Sequence, residues 1–181
     1  MPFQITVVPS AEPISTDDAK THLNVSDSAD DAYIDTLIKA ARQYAEDFTR
    51  RAFITQTIEA KFDKFPAYFE LERGPLQSVT SIQYVDTDGN TQTLAASNYI
   101  IDKVSMPPRI TEAYGVTWPS VRDIANAVTV TYVSGYGDAS TDVPQQIIHA
   151  MLFHIGYFYE NREGGDVPPI VKTLLMPHKV Y

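Results

Sequence analysis

Four histidines, at positions 22, 149, 154 and 178, are the side chains with the widest chemistry to offer. Imidazole can ligate a metal or carry a proton near neutral pH. His149 and His154 are five residues apart, which on a helix at ~100° per residue sets them ~140° apart around the axis. They therefore do not form the one-faced pair that an i, i+4 spacing gives a metal, and structural or surface roles suit all four better. The acidic run Asp17, Asp18, Asp27, Asp30, Asp31 and Asp35 lacks the alternating register and closing Glu of a calcium loop. These residues fit helix N-termini, where the macrodipole favours negative charge. Asp86-Thr87-Asp88-Gly89-Asn90 has the outline of such a loop without its final Glu, and the strands predicted on both sides make it a turn. Gly135-Tyr136-Gly137 has no G-K-[ST] beside it, and no G-x-S-x-G occurs anywhere. Glu160-Asn161-Arg162-Glu163 pairs carboxylates at a helix end, where solvation or pairing with another molecule is expected. The expected catalytic, cofactor-binding and metal-ligating residues are none, and the chain reads as a non-enzyme without cofactors.

Composition narrows the class further. The chain has 181 residues, 44% hydrophobic and 20% charged, the balance of one globular domain. Its 23 acidic and 14 basic residues give a net charge of -9, which argues against a protein that grips phosphates. There is no cysteine, hence no disulfide, zinc-thiolate site or thiol nucleophile. No apolar run approaches the ~18–20 residues of a membrane span. The first nine residues, Met1 to Pro9, lack the basic and apolar regions of a secretory signal. A soluble intracellular product with no membrane partner is expected.

The elements follow from hydrophobic period. Ser15 is placed to cap a short helix, with Asp18 three residues on and Ala19 and Leu23 as its apolar side. A longer helix over 30–50 carries Tyr33, Ile34, Leu37, Ile38, Ala41, Tyr44, Ala45 and Phe48 at steps of 3 and 4. Asp35, Lys39, Arg42 and Glu46 fall on its solvated side. After Arg51 the period changes to 2: Ile54, Gln56, Ile58, Ala60 and Phe62 alternate with polar residues, as in a half-buried strand. Strands are predicted at 68–72, 79–85, 91–95, 99–102, 109–112 and 127–133, with hairpin chemistry at Asp88-Gly89. Helical period returns after Asp142, read as an N-cap, through Ile147, Ile148, Met151, Leu152, Ile155, Phe158 and Tyr159. A last short helix carries Ile170, Val171, Leu174 and Leu175 before Pro177.

The two helical ends each present an apolar face that neither can bury alone. They are expected to pack together around an insertion. The fold class is α+β, a discontinuous helical bundle from both chain ends (1–52 and 139–181) with an inserted antiparallel β lobe (53–138). Tyr114, Trp118, Tyr132 and Tyr136 are expected to fill that lobe, with an aromatic contact surface as the functional alternative.

At this level of detail the chain resembles the head–tail connector, or adaptor, proteins of long-tailed bacteriophages and prophages. The resemblance runs from Ile14 onward. It lies in Ser15-Thr16-Asp17-Asp18-Ala19-Lys20, Asp30-Asp31-Ala32-Tyr33-Ile34, Ala40-Ala41-Arg42-Gln43-Tyr44-Ala45-Glu46 and Phe53-Ile54-Thr55-Gln56-Thr57. It continues in Pro75-Leu76-Gln77-Ser78-Val79, Tyr84-Val85-Asp86, Ala127-Val128-Thr129-Val130, Gly135-Tyr136-Gly137 and the helix ending at Glu163. No segment is a catalytic signature; their order and spacing carry the likeness. Two positions depart from the pattern: Asn24, where many relatives have a basic residue, and Thr49-Arg50-Arg51, where many have Thr-Gly-Arg.

The resemblance implies a homo-oligomeric ring of about twelve subunits, closed by heterologous contacts. It would be assembled in the host cytoplasm and sit in the virion neck, between the portal protein and a tail-completion or stopper protein. DNA would pass through its lumen without specific binding, helped by acidic residues if they line it. Asp35, Lys39, Arg42 and Glu46 are the candidate ring interface, with the β lobe. Leu174, Leu175, Met176, Pro177, His178, Lys179, Val180 and Tyr181 are the candidate portal contact. On that reading, replacing Leu174 and Leu175 by Asp leaves the monomer folded and weakens docking. Another neck or tail-completion protein is the near alternative, and a small hydrolytic enzyme built on the β lobe the distant one.

Overall fold

Alternation of buried and half-exposed residues along 56–62 and 128–134 marks two strands with one face in a core and the other toward solvent. They are the centre of a sheet in the computed structural model, which describes residues 2–181. The chain divides into a strand-rich unit, Met1–Pro9 with Thr55–Gly135, and a helical unit, Ser10–Ile54 with Tyr136–Tyr181.

In the strand-rich unit the elements are β1 (Phe3–Val7), β2 (Gln56–Phe62), β3 (Phe69–Glu70), β4 (Leu76–Val85), β5 (Thr91–Thr93), β6 (Tyr99–Asp102), β7 (Arg109–Glu112) and β8 (Val128–Ser134). A five-stranded sheet has the order β1-β2-β8-β4-β5 and a three-stranded sheet the order β3-β7-β6, every neighbouring pair antiparallel. Register places Ile58 opposite Tyr132, Ala60 opposite Val130, and Val130 opposite Ile82, so all point to one face. With Phe69, Leu71 and Ile110 they form one buried cluster. Trp118 stacks on Phe65 at 5.1 Å and meets Phe69 edge-on. The Tyr132 hydroxyl donates to the Glu72 carbonyl at 2.9 Å, which satisfies a phenol that burial pushes up in pKa.

The Asp86 turn is structural. Its carboxylate accepts from the Gln92 amide and from the backbone N–H groups of Asn90 and Asp88, at 2.8, 2.8 and 3.1 Å, and these bonds hold it below the usual carboxylate range. Gly89 supplies the positive φ of +92° that the turn needs.

In the helical unit the elements are α1 (Thr16–Leu23), α2 (Asp31–Thr49), α3 (Gln145–Glu160) and α4 (Pro169–Leu175). Ser15 caps α1: its hydroxyl accepts the Asp18 N–H at 3.1 Å and donates to the Asp18 carboxylate at 2.6 Å. Ile34, Ile38, Ala41 and Ala45 of α2 are buried with Ile147, Ala150, Met151 and Ile155 of α3 and with Val171 and Leu175 of α4. Their 3–4 spacing is the sequence stripe seen from inside the core.

Four expectations are corrected. Phe3–Val7 forms a strand on β2, so the first nine residues go with the strands and not with the helices. The strand-rich stretch runs from 55 to 135 where 53–138 was expected. Of the aromatics expected to fill the lobe, Tyr114 is fully exposed and Tyr136 lies in the helical unit, 6.4 Å from the Phe53 ring. Asp142 does not cap α3, which begins after Pro144; its carboxylate accepts the Ala139 N–H at 3.0 Å and closes a 3-10 turn. Pro144 stands at the N-cap and carries no side-chain oxygen, so the first N–H groups of α3 have no side-chain acceptor there.

Candidate assembly surfaces

The charged side of α2 divides into two parts. Asp35 and Lys39 are exposed. The Arg42 side chain is 12% exposed and that of Glu46 only 4%. Arg42 bonds Glu12 through Nε at 2.6 Å and through a terminal nitrogen at 3.3 Å, and it bonds Glu46 at 3.0 Å. The other Glu46 oxygen accepts the Phe53 backbone N–H at 2.8 Å. Burial opposes the charge on Arg42, but the two carboxylates outweigh it and hold the guanidinium above its ordinary pKa. The placement of Arg42 and Glu46 on a solvated face is therefore corrected. The chain ahead of α1 brings Glu12 to α2, and the chain after α2 brings the Phe53 N–H. A charged stripe read from one helix cannot reveal what covers it.

The C-terminal segment divides in the same way. Leu175 is fully buried in the helical core and Leu174 packs against that core. Beyond them the chain turns back to the end of α2. The Val180 N–H donates to the Thr49 carbonyl at 3.0 Å, and Arg51 donates to the His178 carbonyl at 2.5 Å. The Lys179 ammonium lies over the Phe48 and Tyr181 rings, 5.1 and 5.2 Å from their centroids. Met176, Pro177 and Tyr181 stay exposed, Tyr181 at 86%. The expectation that Asp at 174 and 175 spares the fold is corrected, because one of the two positions is core.

The histidines do no shared chemistry. Among the described residues no group of three or more His, Cys, Asp or Glu is placed to hold a metal ion. His22 and His149 line one groove of about 430 Å³ with Asp18, while His154 is buried against the Tyr44 and Phe158 rings. Burial lowers the pKa of His154, and burial with the nearby Arg51 lowers that of His178. A depressed histidine leaves stability intact above its unfolded value and withdraws it as pH falls from there toward the folded value. The helical unit should accordingly lose stability as pH falls below the ordinary histidine value, with the buried His154 contributing most. Chemical denaturation at several pH values checks this, and the slope should flatten in His154→Leu.

One cluster was not legible in advance. The Asp30 carboxylate accepts from the Tyr159 hydroxyl and from Arg162, each at 2.7 Å. Those bonds, Tyr159 first, lower its pKa. The Arg162 guanidinium also lies over the Tyr33 and Tyr159 rings at 4.7 and 5.2 Å. This joins the start of α2 to the end of α3. It absorbs Arg162, the cation of the run at 160–163, into the fold.

A sequence profile of the phage gp6-like head-tail connector proteins matches residues 13–106. The chain belongs to this family. The connector's fold agrees with that assignment over its whole length. It is similar to a chain in the neck of an empty gene transfer agent particle computed with C6 symmetry, with TM-score 0.86 and 20% identity, covering 100% of the connector and 96% of that chain. A chain of the native gene transfer agent virion gives 0.84 at 19% identity with the same coverage. A chain from the native particle's neck, computed with C12 symmetry, gives 0.80 at 22%, again covering 100% and 96%. No curated protein matches significantly. The connector is a structural protein of the head–tail junction, built as an α+β fold.

Proposed function

We propose that the connector forms a closed homo-oligomeric ring in the virion neck, between the portal protein and a tail-completion or stopper protein, and that its work is architectural and not catalytic. The observation that carries this reading is its full-length likeness to a chain in a neck solved with twelve-fold symmetry. A ring of about twelve copies needs two unlike faces on each subunit. The exposed half of the former α2 candidate, Asp35 and Lys39, belongs to one of them. Met176, Pro177 and Tyr181, exposed at the end of the helical unit, form the portal contact. The net charge of -9 per copy lets DNA traverse the lumen without being held.

Co-expression with the cognate portal, followed by mass photometry and electron microscopy, tests the reading. The expected result is a ring of uniform copy number seated on the portal. In the paired variant Met176→Asp/Tyr181→Asp the affinity for portal should fall about tenfold, with the fold unchanged. Monomers alone and in the presence of portal would reject the ring.

A further inference from the structure

A helix that faces solvent on one side carries polar residues there. α3 departs from this rule at Phe153. Positions 149, 153, 156 and 160 run up the side of α3 away from its buried residues, and they are His, Phe, Gly and Glu. Phe153 is 45% exposed, touched edge-on by the His22 ring of α1, and Leu152 and Tyr157 flank it half-exposed. The groove between α1 and α3 lies beside this stripe, with Ile14, Ile148 and Leu152 among its lining residues.

Gly156 is the second observation. Glycine inside a helix is costly relative to alanine. Gly156 lies where α1 passes α3: an added Cβ would meet His22 at 3.6 Å and Leu23 at 4.0 Å, ordinary contact distances, so an alanine would fit. Without a side chain at 156 the stripe beside Phe153 stays low, which suits close approach from outside.

We propose that the outer face of α3, centred on Phe153 and Gly156, is the surface by which one copy docks on α2 of the next. The inference rests on the ring reading and names its contact. Two features of this chain identify a second copy as the occupant. The first is charge. Subunits of net charge -9 repel one another, so they must meet where charge cancels. The α3 stripe has no formal charge until Glu160, and on the outer side of α2 Asp35 and Lys39 balance. That side of α2 also exposes Ala32, Thr36 and Ala40, which leave room for the bulk of Phe153.

The second feature is area. A helix the length of α3, ~24 Å, with part of α1 beside it presents roughly 400 Å², about half of what each partner of a stable complex buries. One such contact is weak, and repetition around a closed ring makes it sufficient. Because α3 meets α2, the contact is heterologous, as ring closure requires.

The absence of cysteine allows a direct test. His149→Cys and Ala40→Cys chains, mixed and treated with a short bis-maleimide, should give cross-linked pairs, while each variant treated alone should give none. Pairs from His149→Cys alone would show α3 meeting α3 and overturn the inference. No pairs from the mixture, under conditions where the unmodified chain forms rings, would also overturn it and leave the ring intact. A chain that cross-links in the mixture but never closes would support the contact and reject the ring. Gly156→Ala separates contact from fold: the thermal midpoint of the monomer should rise by about 1–4 °C. Assembly should weaken about tenfold in Gly156→Leu. Undiminished assembly of Gly156→Leu would count against the proposal.

Discussion

Leu175→Asp should unfold the helical unit. Leu175 is wholly buried with Val171, Ile147 and Met151, and a carboxylate there would have neither water nor a cation. Losing a buried leucine costs about 2–5 kcal/mol, and an unpaired buried charge adds several more unless it protonates. Together they rival the whole stability of a domain, about 5–15 kcal/mol. Far-ultraviolet circular dichroism reads the helices, and fluorescence of Trp118, the chain's one tryptophan, reads the strand-rich unit separately. The helical signal should be lost or its midpoint should collapse, and an unchanged midpoint would contradict the burial. Tyr181→Asp, at a position 86% exposed, should by contrast stay within about 0.5 kcal/mol of the unmodified chain. The pair matters for function because an assembly defect in Leu175→Asp would say nothing about portal binding.

Much of the architecture was legible in the residues, and the parts that were not share a cause. The steps of 3 and 4 through Ile34, Ile38, Ala41 and Ala45, and the alternation through Ile58, Ala60 and Phe62, report which side of one element is buried. β6 and β7 match their expected residues because turns bound them closely. β1 was missed since Phe3–Val7 is a short edge strand, paired on one side only, and four of its five residues are exposed. No period-2 contrast between inner and outer face survives there.

The helix ends repay the same scrutiny. Asn24 and Arg50, the two departures from the family pattern, are the C-caps of α1 and α2, with φ of 60° and 56°. Asparagine tolerates that left-handed region, whereas an arginine there costs roughly 1 kcal/mol more than a glycine would. The departure is therefore one of local strain and leaves the turn itself in place.

What a single element cannot disclose is its cover, and Arg42 is the sharpest instance. From period alone its charge belongs to a solvated stripe, where truncation would cost no more than about 0.5 kcal/mol. In the structure it stands between Glu12 and Glu46, and Glu46 also holds the Phe53 N–H. Arg42→Ala removes the cation common to both carboxylates and leaves the Glu46 charge buried. The expected loss is about 2–3 kcal/mol, read as a fall in the urea midpoint of the helical signal. Arg42→Lys should recover only part of it, because a single ammonium cannot reproduce the three bonds that the planar guanidinium makes to two partners. A loss below about 0.5 kcal/mol in Arg42→Ala would return the residue to the solvated stripe and reopen it as a subunit contact. A loss of the expected size confines the ring interface on α2 to its outer side, where Lys39 is exposed and Asp35, though it accepts the Thr16 hydroxyl at 2.5 Å, still faces solvent.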